Sequence, residues 1–74
     1  MADASPQVLK ALWNETEDDT WGSLLYALDE IYENEVLDYK EYKDLKWAIS
    51  KCVSNGYNFP DSIGELSSLL DPYM

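Results

Sequence analysis

The sequence predicts an all-α fold, a compact bundle of three to four short helices. Apolar residues recur at spacings of three and four along most of the chain, capping residues stand at the ends of those stretches, and no run alternates with the two-residue period of a strand. Seventy-four residues make one domain, 1–74, near the size where a single core is marginally sufficient. Apolar residues form 46% of the chain, with three Trp and six Tyr, so a core can be filled.

Ser5 and Pro6 open the first element: Ser offers a capping oxygen, and Pro presets φ at the first helical position. Val8, Leu9, Leu12 and Trp13 follow at helical spacing, giving a helix to about Asn14. Glu15, Thr16, Glu17, Asp18 and Asp19 then form an acidic connector. Thr20 is the expected N-cap of a second helix over 20–34, where Trp21, Leu24, Leu28 and Ile31 step by three or four with Leu25 and Tyr32 beside them. Asp38 through Glu41 reads as a capping box, an N-cap acid with Glu three positions on. It opens a third helix along Tyr42, Leu45, Ile49 and Cys52, with Val53 on the same side. Asn55-Gly56 ends that helix, because glycine takes the left-handed conformation that a C-terminal cap requires. After an extended crossing over 57–60, Ser62 and Glu65 form a second capping box for a short fourth helix carrying Ile63, Leu66, Leu69 and Leu70, closed by Pro72.

Charge decides which functions to discard. Fifteen Asp and Glu stand against five Lys, with no His, for a net charge of −10. Residues 1–38 hold ten acids and one Lys, net −9, whereas residues 39–74 are net −1. Direct nucleic-acid binding needs cationic contacts to phosphate, so no direct nucleic-acid partner is expected. An anionic membrane is repelled likewise, and no segment reaches spanning length. The N-terminus lacks a basic region and an apolar run, so no signal peptide is expected. The single Cys52 forms no internal disulfide. Together these favour the cytoplasm, a reducing compartment. Pairing with a second copy would add buried surface and stays open as a homodimer.

Chemistry is poorly provided for. Zinc needs several Cys or His ligands, and the acidic stretches lack the glycine and ligand order of a calcium loop, so neither metal nor other cofactor is expected. Nucleophilic pairs with histidine are ruled out by composition. A chain this short leaves little room for a pocket that shifts a carboxylate pKa, so no enzyme is expected. Cys52, on the apolar face, reads as a packed thiol.

Binding surfaces are better marked. At about 100° per residue, the face of the second helix opposite its apolar stripe carries Tyr26, Glu30 and Glu33, with Asp29 at its edge. Carboxylates one turn apart repel mildly, and such a face is either simply solvated or an anionic strip for a basic partner. Glu15, Glu17, Asp18 and Asp19 extend the strip at one end, Glu35 and Asp38 at the other. If helical throughout, Asp29 to Asp38 spans roughly 15 Å with five acids, somewhat over half the charge density of duplex DNA. On the third helix, Trp47 stands among Lys40, Lys43, Asp44 and Lys51. It is either covered by another helix or an interface anchor, a role in which Trp is enriched. Lys46 lies at the margin of the apolar stripe, where its stem can lie on apolar surface.

Three resemblances bear on these surfaces. Asp61-Ser62-Ile63 resembles the Asp-Ser-Leu attachment site of acyl carrier proteins, also small acidic helical bundles, but only twelve residues follow Ser62, and capping accounts for it more simply. In size and charge the chain is similar to small acidic bacteriophage proteins that block restriction, CRISPR effectors or host polymerases, which implies an anti-restriction or anti-CRISPR inhibitor acting as a DNA mimic. It is also similar to the acidic four-helix immunity proteins of colicin-type nucleases, whose interfaces use tyrosines, and the stretch Tyr39-Lys40-Glu41-Tyr42 offers tyrosines without a longer matching motif. The expected function is therefore inhibition of a basic nucleic-acid-binding protein or nuclease. An immunity protein, an antitoxin, or an adaptor subunit using Trp47 are the alternatives.

Overall fold

The computed structural model describes residues 6–35 and 37–73. Four helices fold in order: α1 (Pro6–Glu15), α2 (Trp21–Glu33), α3 (Tyr39–Ser54) and α4 (Ile63–Leu70), followed by a single 3₁₀ turn, Asp71–Tyr73. Neighbours pack in sequence, α1 on α2, α2 on α3 and α3 on α4, and α4 returns to α1, which closes the bundle.

The boundaries follow from capping chemistry. Thr20 is extended, and its side-chain oxygen accepts from the Ser23 N–H. Asp38 accepts from the Glu41 N–H at 2.9 Å, and Ser62 from the Glu65 N–H at 3.2 Å. Each thus satisfies one of the four N–H groups that a helix start leaves free. The Glu65 carboxylate reaches back to the Asp61 N–H, one residue beyond the reciprocal contact of an ordinary capping box. Ser5, the expected cap of α1, lies outside the described residues.

The C-terminal ends are as specific. Beyond α3, the Gly56 N–H donates to Val53 O and the Tyr57 N–H to Cys52 O, the paired bonds of a Schellman motif, with Gly56 at φ +74°. After α2 the left-handed position is filled by Glu35, φ +62°, whose N–H donates to Tyr32 O. A side chain there costs about 1–2 kcal/mol relative to right-handed backbone. The fourth helix ends at Leu70, and a 3₁₀ turn that contains Pro72 carries the chain on to Tyr73.

The core comprises Val8, Leu9 and Leu12 of α1, four residues of α2, Leu37, four of α3, and Leu66 and Leu70 of α4. No polar side chain is fully buried among the described residues. On the third helix Ala48 is buried and Val53 is exposed, the reverse of the expected weighting. The stripe is centred near Leu45, Ala48, Ile49 and Cys52, which leaves Val53 about a quarter-turn away. A second apolar layer seals one side, where Phe59 stacks on Trp13 at 5.7 Å and makes a T-shaped contact with Trp21 at 5.2 Å. The Trp21 indole N–H donates to Tyr57 O at 2.9 Å, which ties the 55–62 segment to the start of α2.

Candidate partner-binding surface

Burial of Leu24, Ala27, Leu28 and Ile31 turns the other side of α2 outward. Tyr26 is 65% exposed there, with Asp29 and Glu33 exposed and Glu30 half-buried. The Tyr26 phenol has its pKa raised, first by hydrogen bonding to the Glu30 carboxylate and by that charge, then by some loss of hydration and by the charges of Glu17 and Glu33. Each of these disfavours the phenolate. The exposed ring thus stands beside Glu30, one turn on along α2, while the charges of Glu17 in the connector and Glu33 act on it more weakly.

The remaining acids are arranged differently. Glu15 belongs to the last turn of α1 rather than to the connector, while Glu17, Asp18 and Asp19 are exposed beyond it. Asp19 borders a small recess with Trp13, Thr16 and Phe59. Asp29 accepts a hydrogen bond from the Tyr42 hydroxyl at 2.6 Å, joining α2 to α3. The 15 Å rod expected between Asp29 and Asp38 is not formed. The helix ends at Glu33, Glu35 stands in the left-handed turn, and Asp38 caps α3, so the acids wrap round a hairpin.

Trp47 lies apart from this group. It is 53% exposed, with Tyr73 in a T-shaped contact at 5.9 Å and the Lys51 ammonium 5.3 Å from the ring centre. Lys43 stands likewise over Tyr39 at 5.5 Å, and Lys46 over Tyr42 at 5.6 Å. Among the described residues no lysine forms an ion pair with a carboxylate. Three of the four lysines of α3 sit over rings instead, so the acidic surface keeps its charge.

Sequence reasoning missed the aromatic cluster at the α2–α3 hairpin. Tyr32 stacks on Tyr42 at 4.3 Å, and Tyr39 tilts against both. The available signal was tyrosine at the last turn of one helix and the first turn of the next. Elsewhere, Ser62 has its oxygen engaged as a cap. Cys52 is buried beneath α4, its thiol pKa pushed up by burial, and its Sγ lies 3.6 Å from Leu69 O. Among the described residues no three His, Cys, Asp or Glu side chains are grouped to hold a metal ion, and no helix is long and apolar enough to cross a membrane.

Comparison with protein-family models, with curated proteins and with solved structures returned no match to this chain.

Proposed function

We propose that this chain is a non-catalytic inhibitor. It binds a basic, nucleic-acid-binding protein and blocks that protein's nucleic-acid site by presenting carboxylates where phosphates would lie. The observation that carries this reading is the outer face of α2: Tyr26 is 65% exposed, with Glu30 and Glu33 one and two turns on, and no lysine ion pair exists among the described residues. Such a patch attracts arginine and lysine twice over, through charge and through the ring face. The surrounding net charge, −9 over residues 1–38, speeds the encounter. Binding of this kind needs no cofactor. A host cytoplasm, where nucleic-acid enzymes work, is the matching location.

The test uses the chain as bait in a lysate of its source cells, with Glu30→Lys/Glu33→Lys and Trp47→Ala as comparators. A basic nucleic-acid-binding protein is expected on the wild-type bait, released by about 0.5 M salt, where the screening length shrinks to a few ångströms, and displaced by duplex DNA or RNA. The double charge reversal should weaken capture at least about tenfold, and Trp47→Ala should leave it intact. The opposite pattern overturns the inhibitor reading in favour of an adaptor subunit, the second reading, which the 53% exposure of Trp47 supports. A toxin nuclease as the captured protein would make the chain an immunity protein that uses the same surface.

A further inference from the structure

The outer face of α3 has a composition that no other helix face among the described residues shares. Tyr39, Lys43, Trp47 and Lys51 follow one another at four-residue steps, so they line one side of the helix. The two rings are 60% and 53% exposed. Four of the chain's five lysines lie on this helix, and the ammonium groups of Lys43 and Lys51 hover over the Tyr39 and Trp47 rings. A shallow groove bounded by Lys43, Asp44, Lys46, Trp47 and Ser50 runs alongside. Large exposed rings flanked by cations that lack a carboxylate partner form an unfinished interface: the rings offer apolar area, and the lysines call for anions.

We propose that this face docks the acidic α2 face of a second copy of the chain. Charge complementarity selects the occupant. The same molecule carries, on the outer face of α2, the exposed Tyr26 with Glu30 and Glu33 one and two turns further along the helix. The two faces cannot meet within one copy, because α2 and α3 are packed side by side and pinned by the Asp29–Tyr42 hydrogen bond. Nucleic acid is a poorer occupant, since a net charge of −10 repels it. Two copies also repel as wholes, but at physiological ionic strength that repulsion decays over about 8 Å, whereas pairs in direct contact keep most of their attraction. The contact joins unlike surfaces, so it is head-to-tail, and each added copy leaves one face of each kind free. It does not depend on the existence of a basic target. It does use the acidic surface that such a target would occupy, so target and second copy compete.

Sedimentation velocity on the full chain tests this at about 0.15 M salt and concentrations up to the order of 1 mM, the range of weak contacts. Wild type should sediment faster as concentration rises. Trp47→Ala, which leaves net charge unchanged, should weaken association at least about tenfold. Glu30→Lys/Glu33→Lys moves the net charge from −10 to −6. Bulk repulsion alone predicts stronger association for that variant, and head-to-tail docking predicts weaker. Lys43→Glu/Lys51→Glu should be monomeric alone, and mixing it with Glu30→Lys/Glu33→Lys should restore association, since each supplies the face the other has lost. A wild type that stays monomeric, association that survives both reversals, or a mixture that does not associate would each overturn the proposal. So would a monomer whose Trp47 face captures poly-glutamate, which would assign the face to a foreign acidic chain. Lys43→Glu/Lys51→Glu should keep the lysate target of the inhibitor reading, which separates failure of one proposal from failure of the other.

Discussion

Asp29 and Glu33 lie one turn apart on α2 and serve different ends. Glu33 adds charge around Tyr26, whereas Asp29 holds the Tyr42 hydroxyl across the α2–α3 seam. The Tyr42 pKa is raised, first by that hydrogen bond, then by burial and by the Asp29 charge, with Lys46 opposing. A raised native pKa means that the folded chain holds this proton more tightly than the unfolded one. Its stabilisation is therefore complete below the unfolded value near 10 and fades as pH rises through the higher native value. Tyr42→Phe should lower stability by about 0.5 kcal/mol at neutral pH, the low end for a hydrogen bond at the surface. It should also shrink the loss of stability above pH about 10, as urea titrations at several pH values would measure. None of this was legible in the sequence, because the two partners are thirteen residues apart on different helices. The exposure of Trp47 was half legible. Its charged neighbours marked an outward face, but that Tyr73 would meet it only in a T-shaped contact depended on where the C-terminal turn came to rest.

At the scale of the element, the caps were the readable part. Thr20, Asp38, Ser62 and Gly56 stand where local chemistry demands them, and the observed helix ends fall within a residue or so of those expected. Packing was less readable. Small Ala27 and Ala48 are buried at the helix contacts, while larger Val53 is left outside, since a close helix approach selects for little volume and a residue count rewards bulk. The Glu35 turn carried no sign at all, because glycine usually marks a left-handed position and here it is absent. Asp38 belongs to two expectations at once, cap and partner contact. Asp38→Ala should cost about 1 kcal/mol through the lost bond to the Glu41 N–H, whereas Asp38→Asn should cost little, because Asn caps nearly as well. Thermal unfolding of both variants separates the hydrogen bond from the charge, and any binding lost in Asp38→Asn alone belongs to the charge.

For the molecule as a whole, the charge imbalance opposes the compact state. The Cα radius of gyration is 10.9 Å. At about 0.01 M salt the screening length is roughly 30 Å, so every carboxylate feels the others; at about 0.15 M it is roughly 8 Å, and only near neighbours do. Salt should therefore raise the melting temperature, by about 4 °C or more for each kcal/mol of relieved repulsion in a chain of this size, and calorimetry across that range checks it. A molecule built for stability alone would have placed lysines between its acids, and here three of the five were set on tyrosine and tryptophan rings instead. The placement of the three tryptophans has a practical consequence. Trp13 and Trp21 are partly buried around Phe59, whereas Trp47 stands in water beside Lys51. Emission from the first pair, shifted to short wavelength by its apolar surroundings, reports whether the bundle is intact; the red-edge emission of the third, quenchable by iodide or acrylamide, reports whether α3 is covered. A single cuvette can follow unfolding and docking as two separate optical signals.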